Sequence, residues 1–295
     1  MTAANDDGTR AVDPEIFGLL RQHCLGQPAR YPKGSVLYWQ GDPVDHVFLL
    51  ISGAVKISTI SEDGQIHTYG IVGARRLLGA NAYLLGSDHD MVAEAFEDCE
   101  VLVMPPAGFE RALSEDARLS AVVMRELARG LHGLSEQMRD LSFLDVQQRL
   151  KRSLVRLAEE HGLATDRGIR INLALTHEEM GALVAANRST ITACLSELKQ
   201  QGYLWTEGRR LVIIPPQQME ILDHLTEAVV DGDDDGALYW ARRARSAQVE
   251  PLKALSALTR GMKQVDRSYS RSEIDLPDVV LAAYAMKNAL PSIEA

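Results

Sequence analysis

Residues 175–214 read LTHEEMGALVAANRSTITACLSELKQQGYLWTEGRRLVII, the pattern of two short helices followed by a two-stranded hairpin. Thr176 with Glu179 three places on is a capping box, in which each side chain answers an orphan backbone amide where a helix opens. Met180, Leu183 and Val184 give that helix one apolar face. Ala185 and Ala186 interrupt it, and Asn187 is a good cap for a second helix opening at Arg188. Ile191, Leu195 and Leu198 recur at helical spacing and belong inside, which leaves Arg188, Ser189, Thr192, Ser196 and Lys199 outside. A packed inner stripe behind a short polar and cationic outer face suits the major groove of duplex DNA. Beyond it, 203–205 and 211–214 are strand runs about Glu207-Gly208-Arg209-Arg210, a turn whose arginines can meet phosphate. The expected DNA contacts are Thr176, Asn187, Arg188, Ser189, Thr190, Thr192, Lys199, Arg209 and Arg210.

This stretch resembles the DNA-binding domain of the cyclic-AMP receptor and fumarate–nitrate regulator superfamily. The shared strings are Thr176-x-Glu178-Glu179-Met180-Gly181, Asn187-Arg188-Ser189-Thr190-Ile191, Leu195-x-x-Leu198 and Gly202-Tyr203-Leu204. Ala185 stands where that family has a turn glycine, and Ala193 where a second recognition-helix arginine is common. Both departures bear on which operator half-site is read. The resemblance implies a dimeric transcription regulator on a palindromic operator, with RNA polymerase or another regulatory protein as a further partner.

Upstream, short strand runs at 36–38, 47–51, 54–57, 66–71 and 101–103 are punctuated by Gly34, Gly41, Gly53 and Gly64. Such spacing indicates an antiparallel barrel or sandwich. Pro32-x-Gly34, Gly41-Asp42 and Phe48-Leu49-Leu50-x-x-Gly53-x-Val55-Lys56-Ile57 resemble the cyclic-nucleotide-binding β-roll, and the likeness runs over most of 14–216. The phosphate cassette departs from that family. Gly79 is followed by Ala80 where the family has Glu, and 86–91 reads GSDHDM where an Arg is expected. Asp88 and Asp90 would repel a cyclic phosphate, so cAMP is disfavoured. Either another effector occupies the roll or the roll serves as scaffold. Heme, bound by some relatives, would have to use His46, His67 or His89, and no attachment pattern supports it.

Residues 115–145 carry no proline and show a seam of Met124, Leu127, Leu131, Leu134, Met138 and Leu141. Spacings alternating between three and four suit a parallel two-stranded coil, hence a homodimer. In the resembling family this helix also reaches the effector pocket, which here would meet Leu134 and Ser135 with Gly79. A break at 144–146 precedes a further helix over 147–160 and forms a hinge through which a signal could move the DNA-binding domain.

After Pro215-Pro216 the chain reads as four helices, over about 219–230, 234–247 and 251–270, with the last opening at Pro277. Ala228-Val229-Val230-Asp231-Gly232-Asp233, Gly261-Met262-x-x-Val265 and Leu276-Pro277-x-Val279 resemble the helical cap of cobalamin-binding modules. Photoreceptor members of that group set a Trp and a Glu against the upper face of the corrin, and Trp240 and Glu250 have the spacing. The following residue is Pro251 where those members have His, and no Asp-x-His-x-x-Gly string follows before Ala295. The bundle is therefore read two ways, as holding cobalamin or another hydrophobic effector, or as packing on a partner or on the DNA-binding domain.

The chain of 295 residues has a net charge of −10, which speaks against a non-specific nucleic-acid coat but not against a locally cationic helix. Three isolated cysteines cannot ligate an iron–sulfur cluster alone and fit a reducing cytoplasm. The polar N-terminus is unlike a signal peptide, and no apolar run approaches the ~20 residues of a membrane span. No catalytic or metal-ligating constellation stands out, so an enzyme is not expected. The class is α+β: residues 1–113 form an N-terminal helix and sensor β-roll, 114–146 a dimerisation helix, 147–216 a winged helix-turn-helix and 217–295 a four-helix bundle.

Overall fold

A computed structural model describes residues 26–294, so the expected N-terminal helix and Cys24 lie outside the described residues. The chain divides into two compact units, one running to Gly162 and joined by Leu173–Cys194, the other comprising Leu163–Asn172 and everything from Leu195.

In the first unit eight strands form two four-stranded antiparallel sheets. One runs β1 (Gln27–Tyr31), β8 (Cys99–Met104), β3 (Val47–Ser52), β6 (Leu77–Leu78). The other runs β2 (Val36–Tyr38), β7 (Val92–Ala95), β4 (Val55–Ile60), β5 (Ile66–Val72). Along β4 Val55 and Ser58 are buried, three apart because the register shifts between Ile57 and Ser58, while β3 buries four successive residues because both of its faces are covered. Phe48, Leu50, Val55, Ala93, Ala95 and Val101 make the core between the sheets. Strands β1, β6 and β7 escape the sequence pattern: β1 is mostly exposed, β6 spans two residues, and β7 lies beyond the acidic 86–91 turn.

Three helices belong to the roll and its outlet. Helix α1 (Ala80–Leu85) follows Gly79, whose φ of 79° suits glycine. Helix α2 (Pro106–Glu115) opens with Pro at a first-turn position, and α3 (Ala117–Phe143) is capped by Asp116. The long helix expected over 115–145 is thus separated from α2 by one extended residue. Leu119, Val122 and Val123 of α3 pack with Phe109, Val47 and Met104 in a second core cluster. Leu144 and Asp145 are extended and break the run before α4 (Val146–His161), which has its own Asp145–Gln148 capping box. Helix α5 (His177–Val184) lies against β5, and α6 (Arg188–Gln200) follows it, continuing into the second unit.

The second unit holds a four-stranded sheet in the order β11 (Leu204–Glu207), β12 (Arg210–Ile213), β10 (Gly168–Ile171), β9 (Gly162–Thr165). The expected hairpin is therefore half of a larger sheet. Helices α7 (Pro216–Val230), α8 (Asp234–Ser246), α9 (Pro251–Ser270) and α10 (Leu276–Glu294) then form the bundle, each within a few residues of its expected limits. Its interior is built on small residues: Ala237, Ala241, Ala244, Ala257, Ala282, Ala285 and Ala289 are buried beside Leu222, Leu225, Val229 and Leu258. Among the described residues no helix is long and apolar enough to cross a membrane.

Candidate nucleic-acid interface

The turn between α5 and α6 is set by a chain of local bonds. The Thr176 hydroxyl accepts from the Glu179 amide at 3.2 Å, and the Glu179 carboxylate accepts from the Thr176 amide at 2.6 Å. At the other end of α5 the Ala185 backbone adopts φ 52°, ψ 55°, and the Ala186 amide donates to the Gly181 carbonyl at 3.0 Å. A methyl group on Gly181 would collide with the Ala186 carbonyl oxygen, so only glycine permits this closure. The Asn187 side-chain oxygen then accepts from the Thr190 amide at 2.9 Å and from the hydroxyls of Ser189 and Thr190.

Ile191, Leu195 and Leu198 of α6 are buried, and Arg188, Ser189, Thr192, Ser196 and Lys199 are exposed, as the spacing predicts. The structure separates these side chains by task. Thr176, Asn187, Ser189 and Thr190 spend their polar atoms on caps. The Arg188 side chain makes no hydrogen bond or ion pair among the described residues. One partner of α6 was not legible from spacing. His177 Nδ1 lies 2.7 Å from the Thr192 hydroxyl, pinning a side chain of the outer face.

In the second unit β11 and β12 pair in register, Glu207 opposite Arg210, about a two-residue turn with Gly208 at φ 61° and Arg209 exposed. Trp205 on β11 has the Arg167 guanidinium 5.4 Å and the Lys253 ammonium 5.9 Å from its ring. Beside it Tyr203 is 1% exposed, donates to the Asp223 carboxylate and receives the Arg260 guanidinium at 2.6 Å. Burial, reinforced by Asp223, pushes the Tyr203 phenol far above its ordinary range.

Each of the expected effector residues has its own local surroundings. Ala80 is buried in the roll core, Gly79 is the left-handed cap of α1, and Asp88 and Asp90 are exposed. No Lys or Arg occurs in 79–91 to meet a phosphate. His89, between the two aspartates, is buried and stacked on Tyr38 at 3.8 Å, and burial pulls its pKa down. The Ser135 hydroxyl donates to the Leu131 carbonyl at 2.9 Å, and Leu134 is exposed in the single chain. His46 is exposed, while His67 lines a narrow recess with Gln137, Asp140, Arg149 and Arg156. In the bundle, Trp240 stacks on His224 at 4.4 Å and is edged by Tyr239, while Glu250 pairs with Lys253 at 3.6 Å. Trp240 and Glu250 are thus engaged by different neighbours. Nor do any three His, Cys, Asp or Glu among the described residues stand placed to hold a metal ion.

The helix-turn-helix, wing and roll have counterparts in known proteins. Residues 28–116 match the cyclic nucleotide-binding domain, 148–222 the Crp-like helix-turn-helix domain and 221–294 the B12 binding domain. The CRP-like cAMP-activated global transcriptional regulator of Mycobacterium tuberculosis H37Rv is 26% identical over 210 residues, covering 71% of this chain and 93% of its own. The global nitrogen regulator of Synechococcus elongatus is 27% identical, covering 64% and 86%. Among solved structures, the c-di-GMP responsive global regulator CLP of Xanthomonas campestris superposes with TM-score 0.58 over 68% of this chain and 99% of its own. At 24% identity that last likeness is one of fold.

Proposed function

We propose that this chain, a CRP/FNR-family transcription factor, acts as a homodimer in the cytoplasm, reading a palindromic operator through Arg188 and the outer face of α6. The observation that carries this reading is the exposed Arg188 guanidinium, unpartnered among the described residues, at the first turn of a helix where the Ser189 and Thr190 hydroxyls are committed to the Asn187 cap. A bidentate cation there can address guanine O6 and N7. Arg209, Arg210 and Lys199 would supply phosphate contacts that hold register. The relatives named above are transcription regulators, and catalysis is no part of the proposal.

The controlling signal is an effector other than cAMP, or a partner protein such as RNA polymerase, acting on the roll, the bundle or both. The roll cassette has aspartates where a cyclic phosphate wants cations, and Ala80 fills the core. A second reading rests on the match of 221–294 to the B12 binding domain. The stacked His224 and Trp240, edged by Tyr239, offer a flat aromatic surface of the kind a corrin face packs upon. These residues would grip the macrocycle by its face and leave its metal to other ligands.

Selection of duplexes from a random library, followed by footprinting, tests the DNA reading: a symmetric enriched site is expected, and no enrichment overturns it. Calorimetry with cAMP at millimolar concentration should show no heat of binding. An absorbance spectrum of protein incubated with cobalamin separates the second reading, since a bound corrin co-elutes with the protein.

A further inference from the structure

We propose that the C-terminal bundle is the seat of the wing, with Arg260 of α9 acting through Tyr203 as the residue that positions the β11–β12 hairpin. This rests on the reading that the chain binds duplex DNA, and it assigns the bundle a task in that binding whatever effector it holds.

Tyr203 lies three residues past the end of α6, its amide bonded to the Leu198 carbonyl at 3.0 Å, and it opens the wing. Its carbonyl accepts from the Ile214 amide at 3.0 Å, so the same residue closes the base of the hairpin. The phenol then reaches out of the DNA-binding domain altogether. It donates to Asp223 on α7 and accepts from Arg260 on α9. The same Arg260 nitrogen lies 2.7 Å from the Thr226 hydroxyl, which is itself buried and lies within hydrogen-bond distance of the Leu222 and Ala257 carbonyls. The guanidinium carbon sits 4.9 Å from the centre of the Tyr203 ring, so one cation grips both the hydroxyl and the face.

One further contact holds the same edge, and another holds the bundle together. Lys253 of α9 lies over the Trp205 ring, as Arg167 does, and its stem passes close enough to Gly202 that a methyl group there would touch it. The Gln218 amide of α7 donates to the Ala247 carbonyl after α8, tying the first helix of the bundle to the second.

Burial of apolar surface alone would hold the bundle in place and could do so in several registers. A buried polar network is satisfied in one geometry only, and an apolar substitute of equal volume is often as stable. That asymmetry makes the Tyr203–Asp223–Arg260–Thr226 cluster a device for placement, at little gain in stability. What it places is a hairpin carrying Arg209 and Arg210.

The test replaces the network by hydrocarbon in the full-length chain: Tyr203→Phe, Asp223→Leu and Arg260→Met together, leaving every expected DNA-facing residue in place. The variant should melt like the wild type. Operator binding should weaken evenly across operator variants, and the slope of log K against log salt should become less steep by about 0.9 for each phosphate that is no longer neutralised, one or two in all. In a background already carrying Arg209→Ala and Arg210→Ala, the same replacement should have no further effect on the slope. A folded variant with wild-type affinity and slope overturns the proposal, as does an effect that simply adds to that of the arginine substitutions. If the triple variant fails to fold, Tyr203→Phe, which removes one hydroxyl, takes its place with the same two outcomes. Wild-type protein that selects no operator overturns the DNA reading, and this proposal with it; wild-type binding that the variant leaves untouched overturns only the role of the bundle.

Discussion

Arg188 and Ala185 sit three residues apart and answer to different pressures. Arg188 opens α6 with its guanidinium in solvent. Replacing it with Ala should cost about 1–3 kcal/mol of operator affinity and relax preference at one symmetric base pair. An equal loss on every sequence would mark it as a phosphate contact. Ala185 bears the strain of the turn. An L-residue in the left-handed region costs roughly 1–2 kcal/mol, and glycine escapes that at an entropic cost of about 0.5–1 kcal/mol. Ala185 is exposed, so its methyl contributes no packing. Ala185→Gly should therefore stabilise the chain by about 0.5–1 kcal/mol, read as a higher urea midpoint at unchanged denaturant slope.

Helix α3 carries two allegiances along one seam. Leu127 packs against the roll core of its own chain, with Val122 and Val123 one turn before it. Met124, Leu131 and Met138 are 62%, 68% and 65% exposed, far more than apolar side chains of a finished surface helix should be. A second copy of α3 is the cover that fits a three-four spacing. Of the seam residues Leu131 is the cleanest probe, because its exposure leaves the monomer core unaffected. Leu131→Asp would bury a charge against its own symmetry mate, at a cost of about 3–5 kcal/mol. The variant should sediment as a monomer and lose operator binding; a stable dimer would place the interface elsewhere. The break after α3 is strapped as well as bent. Asp140 is buried and takes Arg152 at 2.7 Å and Arg156 at 2.9 Å across it. Farther along, Arg76 joins Glu126 of α3 at 2.7 Å and Glu160 of α4 at 3.4 Å. Any signal that moves α4 must exchange these pairs.

At the scale of the molecule, the bundle is no appendage on a linker. Met219, Ile221, Leu222 and Leu225 of α7 are buried immediately after Pro216, and Tyr203 keeps its phenol covered by α7 and α9. Removing residues 217–295 would strip the phenol of both partners and bare the apolar base of the wing. An unsatisfied buried polar group alone costs about 1–3 kcal/mol. The shortened chain should melt several degrees below the full one or lose solubility, where an independent module would leave the melting temperature unchanged. A truncation at this point is therefore expected to disturb folding as well as DNA binding.

Local physics determined a large part of this protein in the sequence alone. The capping box at Thr176, the stripe Ile191-Leu195-Leu198 and prolines at helix starts act over a few residues, and the helices they predict occur where expected. Strand β7 and the β9–β10 hairpin were illegible because their stability comes from partners distant in the chain: β7 pairs with β2 and β4, β10 with β12. The same holds for the site. The exposure of Arg188 was legible from helical spacing, while the commitment of Ser189 and Thr190 to the Asn187 cap was visible only in the assembled turn. Tyr203, Asp223 and Arg260 lie 20 and 37 residues apart along the chain, with no periodicity between them. Tertiary structure alone brings them together, because a buried hydroxyl, carboxylate and guanidinium must find one another once water is excluded.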